Sequence, residues 1–166
     1  MRNYPDTYPF LEPCLGCFEN GLQQLSEKEE NIIFLTNGDL SVNRLMDAMA
    51  KLVPGASVTL CFYMLCLRTA QHLHTLLKTK QVEQVNVYCT YKEEYVQDIL
   101  DKTDQFFCVE KGCDFYLVVF ENKDRRIMVG GYIPQTAGRG TINLCTLYNN
   151  VETQSLLMRT LKRFYK

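Results

Sequence analysis

The sequence has 166 residues, 46% of them hydrophobic and 22% charged, and a formal net charge of −1. This length suits one domain around a single core, and the balanced charge argues against a strongly nucleic-acid-binding or membrane-surface protein. No apolar run approaches the roughly 20 residues of a membrane-spanning helix. The N-terminal stretch MRNYPDTYPF lacks the apolar segment of a secretory signal. We therefore expect a cytoplasmic protein without a membrane partner.

Eight cysteines occur in the chain, and several lie within apolar runs. Cys61 stands in SVTLCFYMLC and Cys89 in VNVYCTY, both of which are strand candidates. Free cysteine behaves as a small, well-buried hydrophobe. Because no secretory signal is evident, we expect reduced thiols rather than a disulfide framework.

Residues 1–30 are predicted to form an N-terminal arm, and residues 31–166 a single α/β domain. The arm contains YPDTYPFLEPCLGC, which has three prolines and no regular hydrophobic period. The following ENGLQQLSEKEEN allows a short helical turn. The arm has too few apolar residues to fold alone, so we expect it to lie over the domain.

Strands and helices alternate in the first part of this domain. Apolar runs predict strands in the first half of 31–39, at 56–65 and at 82–91. Helical spacing predicts three helices between and after them, whose apolar faces are Leu45, Met46, Met49, Leu52 and Val53; Leu73, Leu76 and Leu77; and Tyr95, Val96, Ile99 and Leu100. Ser41 stands where the N-cap of the first of these helices belongs. Such alternation is typical of a sheet that is covered by helices.

The pattern changes after residue 114. FYLVVF and RRIMVGGY predict two strands joined by the short loop ENKD, and TINLCTLY predicts a third strand. The final segment predicts a helix that begins at an Asn cap and whose apolar face is Leu156, Leu157, Leu161 and Phe164. Together the elements predict a mixed central β-sheet flanked by helices on both faces.

The stretch from Phe115 to Cys145 combines a hairpin, the pair Gly130-Gly131 and a polar loop that leads into a further strand. This arrangement resembles one domain of the phospholipase D-like superfamily, and the order of elements extends the resemblance over residues 31–166. In that family a strand carries an H-x-K motif, a hairpin follows, and a glycine–serine pair precedes an asparagine. A polar or acidic residue then lies on the next strand. The resemblance implies a phospholipase D-like α/β fold.

The residues that carry the chemistry of that family are missing from the corresponding positions. Its histidine and lysine would fall between Asp114 and Leu117, where neither occurs, while Gly131 replaces the serine and Ile133 the asparagine. In the family the histidine attacks phosphorus and forms a covalent intermediate, and the lysine and polar residues stabilise the phosphoryl oxygens. The resemblance therefore implies a degenerate site, a non-catalytic binding or scaffolding module, and no cofactor. Because the family commonly pairs two such domains across a shared site, it also implies a homodimer.

A ligand that still binds this module is expected at the former phosphodiester site. The loop TAGRGT (136–141) has the small residues whose backbone N–H groups can hold an anion, although a solvated loop is the ordinary alternative. The candidate ligand-binding residues are Tyr116, Gly130, Gly131, Tyr132, Arg139 and Asn143. Several tyrosines are predicted near strand ends and could stack on bases, or could simply complete the core: Tyr63, Tyr88, Tyr91, Tyr116 and Tyr132. A nucleic acid or another protein is thus the candidate partner.

Other readings of the sequence remain open. One is a divergent nuclease or phosphodiesterase whose nucleophile has been replaced, and another is an α/β fold of a different family in which the glycine pair is coincidental. A structural zinc would need four ligands, for which the weak candidates are Cys14, Cys17, Cys108 and Cys113. His72 and His74 are two residues apart on a predicted helix, so their side chains diverge by about 200° and cannot share a metal.

Overall fold

The structure is a computed structural model that describes residues 9–11, 17–37, 40–113, 115–131 and 142–164. The strands of the described part are β1 (Phe10–Leu11), β2 (Ile32–Asn37), β3 (Ala56–Leu65), β4 (Val82–Lys92), β5 (Phe106–Glu110), β6 (Leu117–Glu121), β7 (Arg126–Gly131) and β8 (Ile142–Leu147). The helices are α1 (Cys17–Ser26), α2 (Val42–Leu52), α3 (Leu67–Lys78), α4 (Val96–Leu100) and α5 (Val151–Phe164).

All eight of these strands form one sheet in the order β1-β2-β8-β7-β6-β3-β4-β5. Strands β3, β4 and β5 are parallel, whereas β6, β7, β8 and β2 pair antiparallel in succession from β3. The mixed sheet expected from the sequence is therefore confirmed. Because β2, β3, β4, β5 and β7 all run in one direction, their C-terminal ends share an edge with the N-terminal ends of β6 and β8. We call this the carboxyl edge.

Helices cover both faces of the sheet, as the sequence predicts. Buried residues of α1 to α4 pack with one set of strand side chains, such as Leu60 and Phe120. On the opposite face, Leu161 of α5 packs with Cys61 and Val119. We call these the first and second faces. Alternation along β3 and β6 explains the split, since successive side chains of a strand point to opposite faces.

Local signals in the sequence set the helix boundaries. Ser41 caps α2, because its Oγ accepts a hydrogen bond from the Arg44 N–H. Asn150 caps α5 in the same way, with its Oδ1 accepting from the Thr153 N–H at 3.0 Å. In the hairpin loop, Asn122 Oδ1 accepts from two following N–H groups, as an Asx turn does.

The segment predicted as an arm joins the core where the structure describes it. The two residues of β1 pair in parallel with β2, and α1 is a helix of 10 residues rather than a single turn. Its Phe18, Leu22 and Leu25 are buried with the first-face residues, which is the physical reason that the helix extends: tertiary packing stabilises an amphipathic segment of modest propensity.

Three details differ from the sequence prediction. Strand β5 occupies residues 106–110, where no strand was expected. Tyr95 does not belong to the apolar face of α4, because it precedes the helix in a left-handed conformation and is exposed. Leu156 points to solvent instead of contributing to the buried face of α5. Within the described part of the chain, no helix has the length and apolar character needed to cross a membrane.

Candidate ligand-binding site

The candidate ligand-binding residues that the structure describes all lie at the carboxyl edge. Tyr116 immediately precedes β6, Gly130 and Gly131 end β7, and Asn143 is the second residue of β8. A backbone hydrogen bond links two of them, since the Gly131 N–H donates to the Tyr116 carbonyl oxygen at 3.4 Å. Two further candidates, at positions 132 and 139, fall outside the described residues. The sheet topology thus gathers residues that are 27 positions apart in sequence.

Packing and backbone conformation explain why glycine occupies positions 130 and 131. A Cβ atom on Gly130 would lie 2.8 Å from a ring carbon of Tyr148, and one on Gly131 would lie 2.6 Å from the Leu144 carbonyl oxygen. Gly131 also has a φ of +115°, a region that side chains disfavour. The β8 backbone and its own φ therefore require glycine at 131, and contact with the Tyr148 ring favours glycine at 130, whether or not a ligand binds beside them.

The Asn143 side chain links strand β8 to strand β2. It is almost fully buried, and its Nδ2 donates to the Asn37 carbonyl oxygen at 3.4 Å. The same oxygen accepts from the hydroxyl of the buried Thr36 at 3.1 Å. These bonds hold the start of β8 against the end of β2 on the first face. Gly130, by contrast, lies against the Tyr148 ring and the second-face residues, so the candidates share an edge of the sheet but not a face.

Aromatic rings line the same edge. Tyr63 and Tyr91 stand near the C-terminal ends of β3 and β4, are half-exposed, and pack edge-to-face with ring centroids 5.1 Å apart. Phe115, which comes just before Tyr116, is also exposed. Tyr116 itself is partly buried against Phe62, with 6.0 Å between the ring centroids. The prediction that tyrosines gather near strand ends holds for these, and rings with free faces can stack on planar ligands.

Tyr88 belongs to the interior instead. It lies in the middle of β4 and packs with the second-face residues. Burial, and after it the neighbouring Cys61, raise the pKa of Tyr88. This tyrosine completes the core and is not available to a ligand at the carboxyl edge.

The first turns of α2 and α3 reach the carboxyl edge and carry a polar cluster that the sequence analysis missed. The Thr69 hydroxyl donates to Asn43 Oδ1 at 3.2 Å and so joins the two helices. Glu93, which follows β4, accepts from the Leu67 N–H through Oε2 at 2.7 Å and caps α3. The spacing Cys66-x-x-Thr69 at the start of a helix was the available sequence signal, because it places a hydroxyl in the first turn.

The charge at these helix starts is unusual. Neither α2 nor α3 has an acidic residue in its first turn, although acids are favoured there by the helix dipole. Both instead carry an exposed arginine, Arg44 in α2 and Arg68 in α3. Two arginines beside two helix N-termini favour an anionic ligand, although the Glu93 carboxylate already occupies the start of α3.

The two histidines of the chain lie elsewhere. Both are in α3, and His72 Nε2 lies 2.9 Å from Asp47 Oδ1 of α2. This contact faces a neighbouring helix on the first face. Both histidines therefore lie in α3, outside the segment around Tyr116 where the sequence resemblance would place the family's histidine and lysine.

The cysteines considered as zinc ligands are separated by the sheet. Cys108 lies on the first face with its Sγ 3.6 Å from Cys89 Sγ, whereas Cys113 packs with Cys61 on the second face. Cys17 is exposed at the start of α1, and position 14 lies outside the described residues. The hydrogen bond from Cys89 lowers the pKa of the Cys108 thiol. No group of three or more His, Cys, Asp or Glu side chains in the described ranges is arranged to hold a metal ion.

Comparison with known proteins finds similarity among solved structures. No protein-family model matches the sequence, and no curated protein does so. Among solved structures, the chain is similar to NucT from Helicobacter pylori, with 13% sequence identity and a TM-score of 0.49. The similarity covers 80% of this chain and 96% of that one.

The described side chains at the carboxyl edge are suited to binding. They offer exposed aromatic rings, arginine guanidinium groups and amide or hydroxyl donors, which can stack on bases and hold phosphate oxygens. The Cys66 thiol at this edge is buried and donates to the Thr69 hydroxyl. A nucleophile would need an adjacent base and a free path to its target, and this thiol lies in a packed environment.

Proposed function

We propose that this protein is a non-catalytic phospholipase D-like domain that binds single-stranded nucleic acid at its carboxyl edge. It works as a homodimeric binding or scaffolding module within a nucleic-acid-processing assembly. The observation that carries the proposal is the distribution of side chains: exposed aromatic rings and first-turn arginines share the carboxyl edge, while both histidines lie in α3.

The chemistry of these residues supports a single-stranded ligand. Stacking of a base on an aromatic ring contributes about 1–3 kcal/mol and tolerates any sequence. Tyr63 and Tyr91 offer two such rings, and Arg44 and Arg68 can each contact one phosphate. A base inside a duplex cannot reach the rings, so a single strand should bind more tightly than a duplex.

The number of arginine–phosphate contacts sets the expected salt dependence. Each phosphate contact to a single strand contributes about −0.7 to the slope of log K against log salt concentration. Two arginine contacts therefore predict a slope of roughly −1.4. This weak dependence distinguishes binding through stacking from binding through a basic surface.

Fluorescence anisotropy with a labelled oligothymidylate tests the proposal. Tyr63→Ala should weaken binding at least about fivefold, in line with the loss of one stacked base. Phe107→Ala is the matched control, because Phe107 is similarly exposed but lies within β5, away from the carboxyl edge. Equal affinities of the two variants, or tighter binding of a duplex, would count against this site.

A separate assay addresses catalysis. A chromogenic phosphodiester is incubated with the protein, with and without a chelator, and no turnover is expected. Turnover that disappears in Tyr116→Phe or Asp114→Asn would overturn the non-catalytic assignment and favour the divergent nuclease. The two assays are independent, so either part of the proposal can fail alone.

A further inference from the structure

Two cysteine thiols lie in contact at one end of the sheet, on its first face. The Sγ atoms of Cys89 in β4 and Cys108 in β5 are 3.6 Å apart, close enough to share a hydrogen bond between the two sulfurs. Both residues pack with the first-face residues. The nucleic-acid site proposed above uses neither thiol, so their proximity is a separate feature of the chain.

The two thiols differ in their access to solvent. Cys89 is fully buried, whereas Cys108 is partly exposed. A small oxidant in solution can therefore reach the Cys108 sulfur but not the Cys89 sulfur. Redox-sensing pairs have this asymmetry, because an accessible thiol reacts first and a neighbouring thiol then resolves the product.

The surroundings of Cys108 favour its thiolate, which is the nucleophilic form of cysteine. The hydrogen bond from Cys89 lowers the pKa of the Cys108 thiol, and the positive charge of Lys92 lowers it further. These effects outweigh partial burial and the opposing charge of Glu110, with which Lys92 forms an ion pair. The same hydrogen bond, and after it burial, raise the pKa of the Cys89 thiol. One sulfur of the pair is thus ready to attack, while the other keeps its proton.

Strand pairing allows the two sulfurs to bond after a small backbone movement. Cys108 is paired with Val87, and Cys89 with Glu110, so the two cysteines are diagonal neighbours on one face. Diagonal neighbours lie about 7–8 Å apart, and a disulfide needs Cα atoms less than about 7 Å apart. Strand β5 must therefore shift along β4 by on the order of 1 Å. It is free to do so because it ends the sheet and pairs with β4 alone among the described strands.

We propose that Cys108 and Cys89 are a reversible oxidation site that closes to a disulfide when the chain meets a hydroperoxide. The Cys108 thiolate attacks one oxygen of the hydroperoxide, so that an S–O bond forms, the O–O bond breaks, and the other oxygen leaves as an alcohol, or as water from hydrogen peroxide. The Cys89 sulfur then attacks the sulfenic sulfur of Cys108. The S–S bond forms, the S–O bond breaks, and the Cys89 proton leaves with the hydroxyl group as water. The two thiols lose two electrons in total, and the hydroperoxide gains them.

The disulfide ties the last strand of the described sheet to its neighbour. The segment between the two cysteines contains Glu93, which caps α3, and the whole of α4. Closing this loop limits local opening at the end of the sheet. The inference goes beyond nucleic-acid binding and does not depend on it.

Peptide mapping of the full chain after treatment with hydrogen peroxide tests the pair. Remaining thiols are blocked with N-ethylmaleimide in denaturant, and the protein is digested with trypsin. Cleavage after lysine and arginine gives peptide 81–92, whose one cysteine is Cys89, and peptide 103–111, whose one cysteine is Cys108. The two peptides should appear joined, lighter by two hydrogen atoms than their sum, and should separate with dithiothreitol. The fully buried Cys113, in peptide 112–123, should stay a free thiol.

Two cysteine variants assign the roles within the pair. Cys89→Val leaves the sulfenic acid of Cys108 without a resolving thiol, so dimedone should label peptide 103–111 and the joined product should be lost. In Cys108→Val, peptide 81–92 should stay a free thiol without a dimedone label. Cys145→Val is the matched control, because it removes another fully buried first-face thiol and should leave the joined product unchanged.

A further pair of variants leaves the core intact, and decides the result if a cysteine variant fails to fold. Lys92→Gln removes the positive charge that favours the Cys108 thiolate. It should slow formation of the joined product about twofold or more. Lys28→Gln changes an exposed lysine that follows α1, and it should leave the rate unchanged. Equal rates in the two variants would contradict the role given to the thiolate.

The peptide map also contains the result that would overturn the pair. Peptides 81–92 and 103–111 would then stay separate and fully blocked by N-ethylmaleimide at every peroxide concentration. Oxidation of peptide 3–28, which carries the exposed Cys17, shows in the same sample that the oxidant was active. A dimedone label on peptide 81–92 in Cys108→Val would show instead that Cys89 is reached directly, and would overturn the order of the two steps.

Discussion

Two single residues hold a left-handed backbone conformation that glycine usually supplies. Lys80 has a φ of 58° and Tyr95 a φ of 67°. Lys80 follows α3 in a helix-ending motif in which its own N–H bonds to the Leu77 carbonyl and the Gln81 N–H bonds to the Leu76 carbonyl, both at 3.0 Å. These bonds fix the conformation and impose it on a side chain that disfavours it by about 1–2 kcal/mol.

Lys80→Gly should therefore stabilise the fold. Glycine adopts the left-handed conformation freely but loses more entropy on folding, so we expect a net gain of about 0.5–1 kcal/mol in the free energy of unfolding. Gln71→Gly is the control: glycine at this exposed interior position of α3 should destabilise by about 1 kcal/mol. Urea denaturation measures both values, and a loss of stability in both variants would contradict the assignment.

The glycine pair and Asn143 have structural roles that the sequence pattern alone does not reveal. The pair Gly130-Gly131 was predicted as a remnant of a phosphodiester site, and the structure gives both glycines a packing role against Tyr148 and Leu144. Glycine pairs look alike in sequence whether they approach a ligand or a neighbouring strand. Asn143 was similarly placed in the site by its position, yet the amide donates to Asn37. These partners are set by contacts between strands that are distant in sequence, and a local sequence pattern does not report such contacts.

At the scale of elements, α3 depends on a cap that comes from another segment. Its N-cap residue Cys66 makes no side-chain capping bond. The Glu93 carboxylate, which follows β4, accepts from the Leu67 N–H instead. A negative group also interacts favourably with the helix dipole at this end. The parallel pairing of β3 and β4 is what brings Glu93 to the start of α3.

Replacement of Glu93 should destabilise the protein through this cap. Glu93→Ala removes the acceptor and should lower the free energy of unfolding by about 1 kcal/mol. Glu93→Gln keeps an acceptor oxygen and should lose only about half of that. Glu94→Ala, at the exposed neighbouring residue, should change stability by less than about 0.5 kcal/mol. Thermal denaturation compares the three, and equal effects at 93 and 94 would rule out the cap.

The order of elements was largely predictable, and the exceptions have physical reasons. Helical spacing and β-branched runs identified α2, α3, β3 and β4 because each buries a regular stripe. Strand β5 was missed because FFCVE is a short apolar run, which periodicity cannot assign to a strand. Helix α1 was underestimated because its stability comes from burial of Phe18, Leu22 and Leu25, which local propensity does not report.

The whole molecule keeps several ionisable thiols inside its core. Cys145 in β8 is fully buried among first-face residues. Burial alone raises the pKa of its thiol to about 12, compared with about 8.5 in an unfolded chain. The folded protein therefore retains a proton that the unfolded chain has lost between about pH 8.5 and pH 12.

The higher pKa of the Cys145 thiol in the folded state determines whether the free energy of unfolding rises or falls with pH. Where the folded state binds more protons than the unfolded state, stability falls as the pH rises. The contribution of Cys145 is complete below about pH 8.5 and decreases by about 1.4 kcal/mol per pH unit above it. Other buried thiols, such as Cys61, have raised pKa values as well, so the protein as a whole should lose stability in alkaline solution.

Cys145→Val isolates the contribution of one thiol. The variant keeps an apolar group of similar size, and it cannot ionise. Its free energy of unfolding, measured in urea at several pH values from 7 upward, should decline less steeply than that of the wild type above about pH 9, by about 1.4 kcal/mol per pH unit. Any change in packing appears as a constant offset at neutral pH, which separates it from proton linkage. Parallel curves for the two proteins across the alkaline range would mean that Cys145 ionises in the folded state, and that the first face is open to water at β8.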